Sequence, residues 1–334
     1  MKQFTWGIIG PGKIANKFAV ALTLVEDAHL GAVASRDIAR SRSFAEAHNV
    51  PTIYDNYEQL AADPSIDAIY IATPHGYHAE HAILCLNHGK AVLCEKPMAL
   101  SARQVSEMID AARTHRAFLM EAMWTRFLPL TDQIDQLISD GQIGDLRYIR
   151  ADFGFPAPFN PDGRLYDLRL GGGSLLDIGI YPLFLCLYLL GEPQQVTAVG
   201  HLAPSGADDT CHAILRFRED RSAVITSTLT CQTGLTAEIA GTHAAIHIPS
   251  PWYRNDQFTI HKNKRDQTPQ SPQEPQLIQL EPMINGFEYQ IRETMNCVSS
   301  GLIESPKMSF DFSLLMARTM DTIRTQLGVK YPTE

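Results

Sequence analysis

Along the first 122 residues, short runs that are apolar on both faces alternate with stretches whose apolar positions recur at helical spacing. The strand-like runs are Thr5–Gly10, Leu30–Ser35, Ile66–Thr73, Ala91–Glu95 and Phe118–Ala122. Between them lie helical patterns over Lys13–Leu24, Asp37–His48, Tyr57–Ala62, Tyr77–His88 and Ala102–Thr114. Ser101, Asp37 and Asp55 stand where a side-chain oxygen could accept the unpaired amides of a first helical turn. Strands apolar on both faces need helices on both faces, so this half is expected to be a doubly wound α/β Rossmann-type parallel sheet.

After about Arg126 the rhythm changes. A helical stretch, Leu130–Ile138, precedes an alternating run, Leu146–Phe153, and a glycine loop at Gly171–Gly173 opens an apolar helix, Ser174–Leu190. Alternating segments follow at Gln195–His201, Cys211–Phe217, Ser222–Thr230, Thr236–Ala240 and Ala244–Ile248. Consecutive strands with short turns predict a large, mostly antiparallel open sheet in an α+β domain. The Pro/Gln-rich Gln267–Pro282 reads as a surface excursion, and helices over Asn285–Ser299 and Phe310–Leu327 close the chain. The expected division is a nucleotide-binding domain over 1–123 and a substrate-binding and oligomerisation domain over 124–334, in line with two domains for 334 residues.

Composition narrows the partners. Lys+Arg 28 against Asp+Glu 37 leaves a net charge of −9, which repels polyanions and anionic membranes, so nucleic acid and membrane are not expected. No apolar run approaches the roughly 18 residues of a membrane span, and Met1–Gly12 carries no export signal, which predicts a cytoplasmic protein. Cys85, Cys94, Cys186, Cys211, Cys231 and Cys297 are scattered without a Cys-x-x-Cys pair and read as reduced thiols.

Four segments carry chemistry. Gly10-Pro11-Gly12-Lys13-Ile14-Ala15 leaves the first strand and opens the first helix: Gly10 for the tight turn, Gly12 for close approach of backbone to a pyrophosphate, Ala15 for close packing of helix on strand. At the end of the second strand, Ser35, Arg36 and Arg40 offer a hydroxyl and two guanidinium groups to a 2′-phosphate, which favours NADP over NAD. Asp37 is the competing ribose acceptor, an NAD marker, and reads better as a helix cap. Further on, Glu95-Lys96-Pro97 places a lysine at the C-terminal end of a parallel strand, where ligands of open α/β sheets bind, with a proline able to fix a cis bond. In Gly171–Tyr181, Asp177 and Tyr181 are four residues apart and share a helix face that is otherwise apolar. A buried Asp177 needs either a cation such as Lys96 or the amides of the glycine loop.

These segments together resemble the glucose-fructose oxidoreductase / inositol dehydrogenase family (Gfo/Idh/MocA). The resemblance rests on Gly7–Ala15, on Ala72-Thr73-Pro74 with His78, on Gly89–Pro97 and on Gly171–Tyr181. Met120–Phe127 and a tyrosine at 181 resemble the dimeric dihydrodiol dehydrogenase and NADP-dependent D-xylose dehydrogenase branch. The resemblance implies that Lys96 and Tyr181 are catalytic with Asp177 beside them. It implies further that Thr73, Pro74, His78, Glu95, Trp124 and Arg126 line the cofactor and substrate pocket, that Phe153 touches substrate, and that the open sheet forms a homodimer or homotetramer.

The expected reaction is hydride transfer between NADP and a carbon bearing a hydroxyl in a sugar, polyol or cyclic diol. Tyr181 is one candidate for the proton acceptor, its phenol made more acidic by a nearby ammonium; Lys96 itself is the other. A non-catalytic NADP-binding regulator on the same fold is the alternative, although it has no use for Lys96 and Tyr181 together. His75, His78 and His81 lack closing ligands at a metal's spacing, so no metal is expected. The basic stretch His261–Arg265 reads as a solvated turn.

Overall fold

The computed structural model describes residues 3–263 and 274–332. It divides into two compact units, Met1–Trp124 with Ile284–Ala317, and Thr125–Met283 with Arg318–Glu334. In the first unit the chain runs β1 (Phe4–Ile9), α1 (Lys13–Leu22), β2 (Ala28–Ala34), α2 (Ile38–His48), β3 (Thr52–Tyr54), α3 (Tyr57–Ala62), β4 (Ala68–Ile71), α4 (His78–Asn87), β5 (Ala91–Glu95), α5 (Ala102–His115) and β6 (Leu119–Ala122). The strands form one parallel sheet in the order β3-β2-β1-β4-β5-β6. Every residue of β4 and β5 is buried, so each face must be covered by helices, and each such Ile, Val or Leu contributes roughly 1.5–3 kcal/mol. In α1 the buried positions Ala15, Phe18, Ala19 and Leu22 recur at helical spacing and form the stripe that meets the sheet. The strand order reverses between β1 and β4, which opens the crevice where ligands of such sheets sit.

Ser101 caps α5 through the Gln104 amide and Asp37 caps α2 through those of Ala39 and Arg40. The α3 cap is Asn56, not Asp55: its carbonyl oxygen accepts from Gln59 N at 2.9 Å. The sequence pattern passed over β3, whose three residues are too few to show alternation.

The second unit contains α6 (Pro129–Ser139), β7 (Leu146–Gly154), a π-helical turn at Leu175–Gly179 leading into α7 (Ile180–Leu190), and β8 (Gln195–Leu202), β9 (Asp208–Arg216), β10 (Ser222–Thr228), β11 (Ala237–Gly241), β12 (Ala244–Ile248), β13 (Gln257–Lys262) and β14 (Gln276–Gln279). They build an eight-stranded sheet in the order β14-β13-β12-β11-β7-β10-β9-β8, in which β7 and β10 are parallel and every other neighbouring pair is antiparallel. In β9, β10 and β12 buried positions alternate with more exposed ones, as a sheet covered on one face requires. Two strands correct the sequence reading. β13 was missed, and β14 occupies Gln276–Gln279 inside the expected Pro/Gln-rich excursion, whose earlier part, 267–273, lies outside the described residues, as do 264 and 265 of the basic stretch.

Leu168–Leu190 also departs from expectation. Its most apolar 18-residue window has a mean hydropathy of 1.8, enough for a membrane span by length and composition, yet 89% of that window is buried inside the fold, as in a core helix. All six cysteines are unpaired thiols; Cys231 is exposed and the other five are buried.

Two helices end the chain, α8 (Glu288–Ser299) and α9 (Phe310–Leu327). By contact, Ile284–Ala317 belongs with the Rossmann unit, whereas the division read from sequence ran unbroken from 124 to 334. Asn285 Nδ2 donates to Lys17 O at 3.1 Å, Arg292 Nη2 to Leu24 O at 2.9 Å and Leu119 N to Ile303 O at 3.0 Å, while Phe310 and Ala317 enter the core on β6 and α5.

Candidate active site

The glycine loop stands at the crevice. Gly10 has φ +89°, and a Cβ there would lie 2.9 Å from the Thr73 amide nitrogen, so the turn after β1 closes directly on the end of β4. At Gly12 the nearest atom to such a Cβ is 4.0 Å away, leaving room for a ligand against the backbone, and α1 begins there without a side-chain cap. Unclaimed first-turn amides beside open space suit a pyrophosphate. Ala15 is fully buried, Ile14 half-buried and Lys13 exposed on the first turn.

Beyond β2, the Asp37 carboxylate is engaged as the α2 cap, 3.0 Å from Ala39 N and 3.4 Å from Arg40 N. Ser35 Oγ accepts the Asp37 amide at 3.1 Å. The Arg36 guanidinium lies over the Tyr77 ring at 5.2 Å, a cation–π contact, and Arg40 is exposed one turn on. Tyr77 has no motif of its own in the sequence. Its amide donates to Pro74 O at 2.9 Å, which fixes the turn that presents the ring.

Thr73 Oγ1 meets His81 Nδ1 at 3.0 Å, and burial, helped by the charges of His78 and Arg36, lowers His81 to about 4. His78 is wholly buried, its ring nitrogens 2.8 Å from Pro97 O and 2.8 Å from Thr73 O. It ties the loops after β4 and β5 together. Burial pushes its pKa down.

At the end of β5, Glu95 is buried and accepts a short hydrogen bond from the Tyr70 hydroxyl; Tyr70 in turn stacks on Phe18 at 3.8 Å. Lys96 is only 9% exposed, and the Lys96–Pro97 bond is cis. Behind this turn lies Glu121, an acid in the otherwise apolar β6. Its Oε1 accepts the Met98 amide at 2.9 Å, and burial raises it to about 7. The sequence signal was present, a lone carboxylate in Phe118–Ala122, but it was read only as part of a strand. Trp124 packs on Phe287 at 5.1 Å, and the Lys17 ammonium lies 5.8 Å from its ring centre.

In the second unit Asp177 falls in the π-helical turn, not in regular α-helix. Pro182 has no N–H to give to the carbonyl of Ile178, which removes one α-type bond at this junction. The turn is anchored by Asp208, whose Oδ2 accepts from Leu175 N at 2.7 Å and Ser174 Oγ at 2.8 Å. Burial raises Asp208 to about 6. A Cβ on Gly173 would come within 2.3 Å of Asp208 Oδ1, so glycine is required there. Asp208 carries no motif that could have revealed it.

Asp177 accepts from Arg164 Nη1 at 2.8 Å; its side chain is 9% exposed and that of Arg164 58%. Tyr181 stands among aromatic rings: Phe153 at 5.5 Å and Tyr253 at 5.3 Å, with Phe153 and Tyr253 stacked at 4.3 Å. Tyr253 follows Trp252, whose Nε1 donates to Asp152 O at 2.9 Å and ties this turn to β7. Burial pushes the Tyr253 phenol up. Arg126 is held by Asp132 at 2.8 Å and lies 4.4 Å from the Tyr188 ring.

Comparison with known proteins places this geometry. Residues 4–123 match the model of an oxidoreductase family with an NAD-binding Rossmann fold, and residues 131–247 match the GFO/IDH/MocA C-terminal domain. Trans-1,2-dihydrobenzene-1,2-diol dehydrogenase of Xenopus laevis is 40% identical over 336 residues, covering 98% of this chain and 99% of the relative. The Homo sapiens protein of that name is 35% identical over 332 residues, covering 98% of each. Among solved structures, KijD10, a 3-ketoreductase from Actinomadura kijaniata in complex with NADP and TDP-benzene, superposes with a TM-score of 0.85 at 26% identity, covering 98% of each chain. With a glycine loop shaped for a nucleotide, a lysine at the end of β5 and full-length relatives of this kind, the chain belongs to the GFO/IDH/MocA family of oxidoreductases.

Proposed function

We propose that the protein is an NADP-dependent dehydrogenase acting on a hydroxyl-bearing carbon of a sugar, polyol or cyclic diol, with Lys96, Asp177 and Tyr181 carrying the chemistry. The observation that bears most weight is Lys96, a nearly buried ammonium at the end of β5. The relatives named above act on a cyclic diol, and KijD10 binds NADP. The open space at Gly12, the commitment of Asp37 to the α2 cap and the Arg36 guanidinium held over Tyr77 fit an adenosine bearing a 2′-phosphate.

When bound, NADP supplies the hydride acceptor. Tyr181 Oη takes the proton of the substrate hydroxyl and returns it in the reverse reaction. In this reading the Lys96 ammonium serves to favour the phenolate, since positive charge stabilises an anion. Asp177 orients the hydroxyl by accepting from it. Thr73, Pro74, His78, Glu95, Trp124 and Arg126 frame the cofactor and substrate, His78 by fixing loops rather than by contact, and Phe153 forms part of the wall around Tyr181.

The same reading includes a cytoplasmic location, supported by six free thiols, and a homodimer or homotetramer through the open face of the C-terminal sheet, supported by the exposed Val199 and Ile214. Following NADPH absorbance with aldoses and trans-dihydrodiols tests the activity. Tyr181→Phe and Lys96→Met should each lower kcat by about 10²–10⁴ while NADPH binding persists. Near-wild-type turnover in either variant refutes the assignment.

A further inference from the structure

Arg164 is a cation paired with Asp177, and the segment around it is built to hold it still. Tyr166 N and Asp167 N both donate to Gly163 O at 2.9 Å, Gly172 N donates to Asp167 O at 2.9 Å, and Gly173 N to Leu165 O at 2.9 Å. A Cβ on Gly172 would lie 2.9 Å from backbone atoms of Leu165, Tyr166 and Asp167. The two strands of this loop therefore touch, and the residue between Gly163 and Leu165 has little freedom.

The pairing itself is single. Arginine and carboxylate prefer a two-point fork, with two parallel N–H donors on two oxygens. Here only Nη1 donates to Asp177 Oδ1, while Nη2 and Nε have no acceptor among the described residues and the side chain is 58% exposed. Arg169 shows the other arrangement a few residues on. Its Nε and Nη2 grip both oxygens of Asp167, at 3.0 and 2.7 Å. An arginine serving only as a counter-ion in this loop has that solution available, and Arg164 does not take it.

We propose that Arg164 is a specificity-determining residue: its remaining N–H groups donate to the hydroxyl adjacent to the one that is oxidised, so that Arg164 and Asp177 together read a neutral vicinal diol. The assignment rests on the proposed function above and goes beyond it by naming the pattern recognised. A carboxylate that accepts from one hydroxyl and a guanidinium that donates to its neighbour, 2.8 Å apart, match two oxygens on adjacent carbons. The ion pair is neutral overall, which gives no net attraction for a carboxylate or phosphate on the substrate. The rings of Phe153, Tyr181 and Tyr253 in the same unit offer an apolar surface to a carbocycle or pyranose face.

The test compares a cyclic trans-1,2-diol and D-xylose, each beside the analogue lacking the neighbouring hydroxyl, on wild-type protein, Arg164→Met and Arg164→Lys. In Arg164→Met, kcat/KM for the diols should fall roughly 10- to 100-fold, mostly through KM, and change less than about twofold for the analogues. Arg164→Lys should recover part of the loss. NADPH binding by each variant reports that it is folded. Equal losses on diols and analogues, carried by kcat, overturn the proposal and leave Arg164 acting only through Asp177; unchanged kinetics overturn it as well. Wild-type protein that turns over none of these compounds overturns the proposed function and this inference together, whereas loss confined to Tyr181→Phe and Lys96→Met overturns this inference alone.

Discussion

Glu121 Oε1 accepts the Met98 amide at 2.9 Å, so a fully buried carboxylate holds the chain one residue beyond the Lys96–Pro97 turn. Burial, opposed by the Met98 and Ser313 hydrogen bonds and the Lys96 charge, raises this acid from 4.5 to about 7. Its second oxygen has no hydrogen-bond partner among the described residues.

That shift has a definite sign. Because the folded-state value lies above the unfolded one, the stability contributed by the protonated form is complete below about pH 4.5 and is lost as pH rises through about 7. Glu121→Gln, which cannot ionise, should escape the loss. The difference in Tm between variant and wild type should grow in favour of the variant from pH 5 to pH 8. A difference that stays flat over this window would show that Glu121 does not titrate there.

Arg36 and Asp37 are adjacent but do different work, one facing the Tyr77 ring and the other bound to the first turn of α2. Arg36→Ala should therefore weaken NADPH at least tenfold and leave NADH nearly unchanged, while raised ionic strength weakens NADPH on wild type. Asp37→Ala should instead cost about 1 kcal/mol of stability through the lost cap and leave the NADPH-to-NADH ratio where it was. Calorimetric titration of both variants with both nucleotides checks the pair. A ratio that shifts toward NADPH in Asp37→Ala would make Asp37 the ribose acceptor.

Asp208 anchors the turn that bears Asp177. Removing its carboxylate in Asp208→Ala leaves Leu175 N without its acceptor in a buried site, while Ser174 Oγ keeps Ser227, which should lower stability by about 1–3 kcal/mol. Asp208→Asn keeps an acceptor oxygen and should lose less. Denaturant midpoints give the order, and kcat should follow it, because Tyr181 is carried by the same turn and helix. Equal stability of the two variants would remove Asp208 from this role.

What the sequence made legible was local. Asp37 and Ser101 were readable as caps because a cap needs only a side chain and an amide two or three residues on. Gly10 and Gly12 were readable for the same reason. Arg164 was not, since an exposed arginine in an irregular loop meets its carboxylate 13 residues later with no period to announce it. Neither was Asp208, 33 residues from the amide it holds. The edge strand β14 and its neighbour β13 carry too few apolar residues to alternate clearly. The amphipathic helix α8 was placed correctly along the chain, but amphipathicity says that one face is buried and not against which sheet. Its return to the Rossmann unit depends on contacts such as Asn285 with Lys17.

The open face of the C-terminal sheet supplies the last prediction. Val199 and Ile214 lie on paired strands, with Val199 opposite His212 and Ile214 opposite Thr197, so both project from one face, at 66% and 58% exposure. Isolated apolar residues on a surface are ordinary, but here they stand on β8 and β9, where a second copy could meet them across a two-fold axis. In such an interface each residue is buried twice, at roughly 1.5–3 kcal/mol each time, so Val199→Asp with Ile214→Asp should weaken association on the order of 10⁴-fold or more. Light scattering on the eluting protein should then give the mass of a single chain, with NADPH binding retained because the Rossmann unit is untouched. An unchanged oligomer would exclude this face as the interface, and a wild-type protein already of single-chain mass would exclude the oligomer itself.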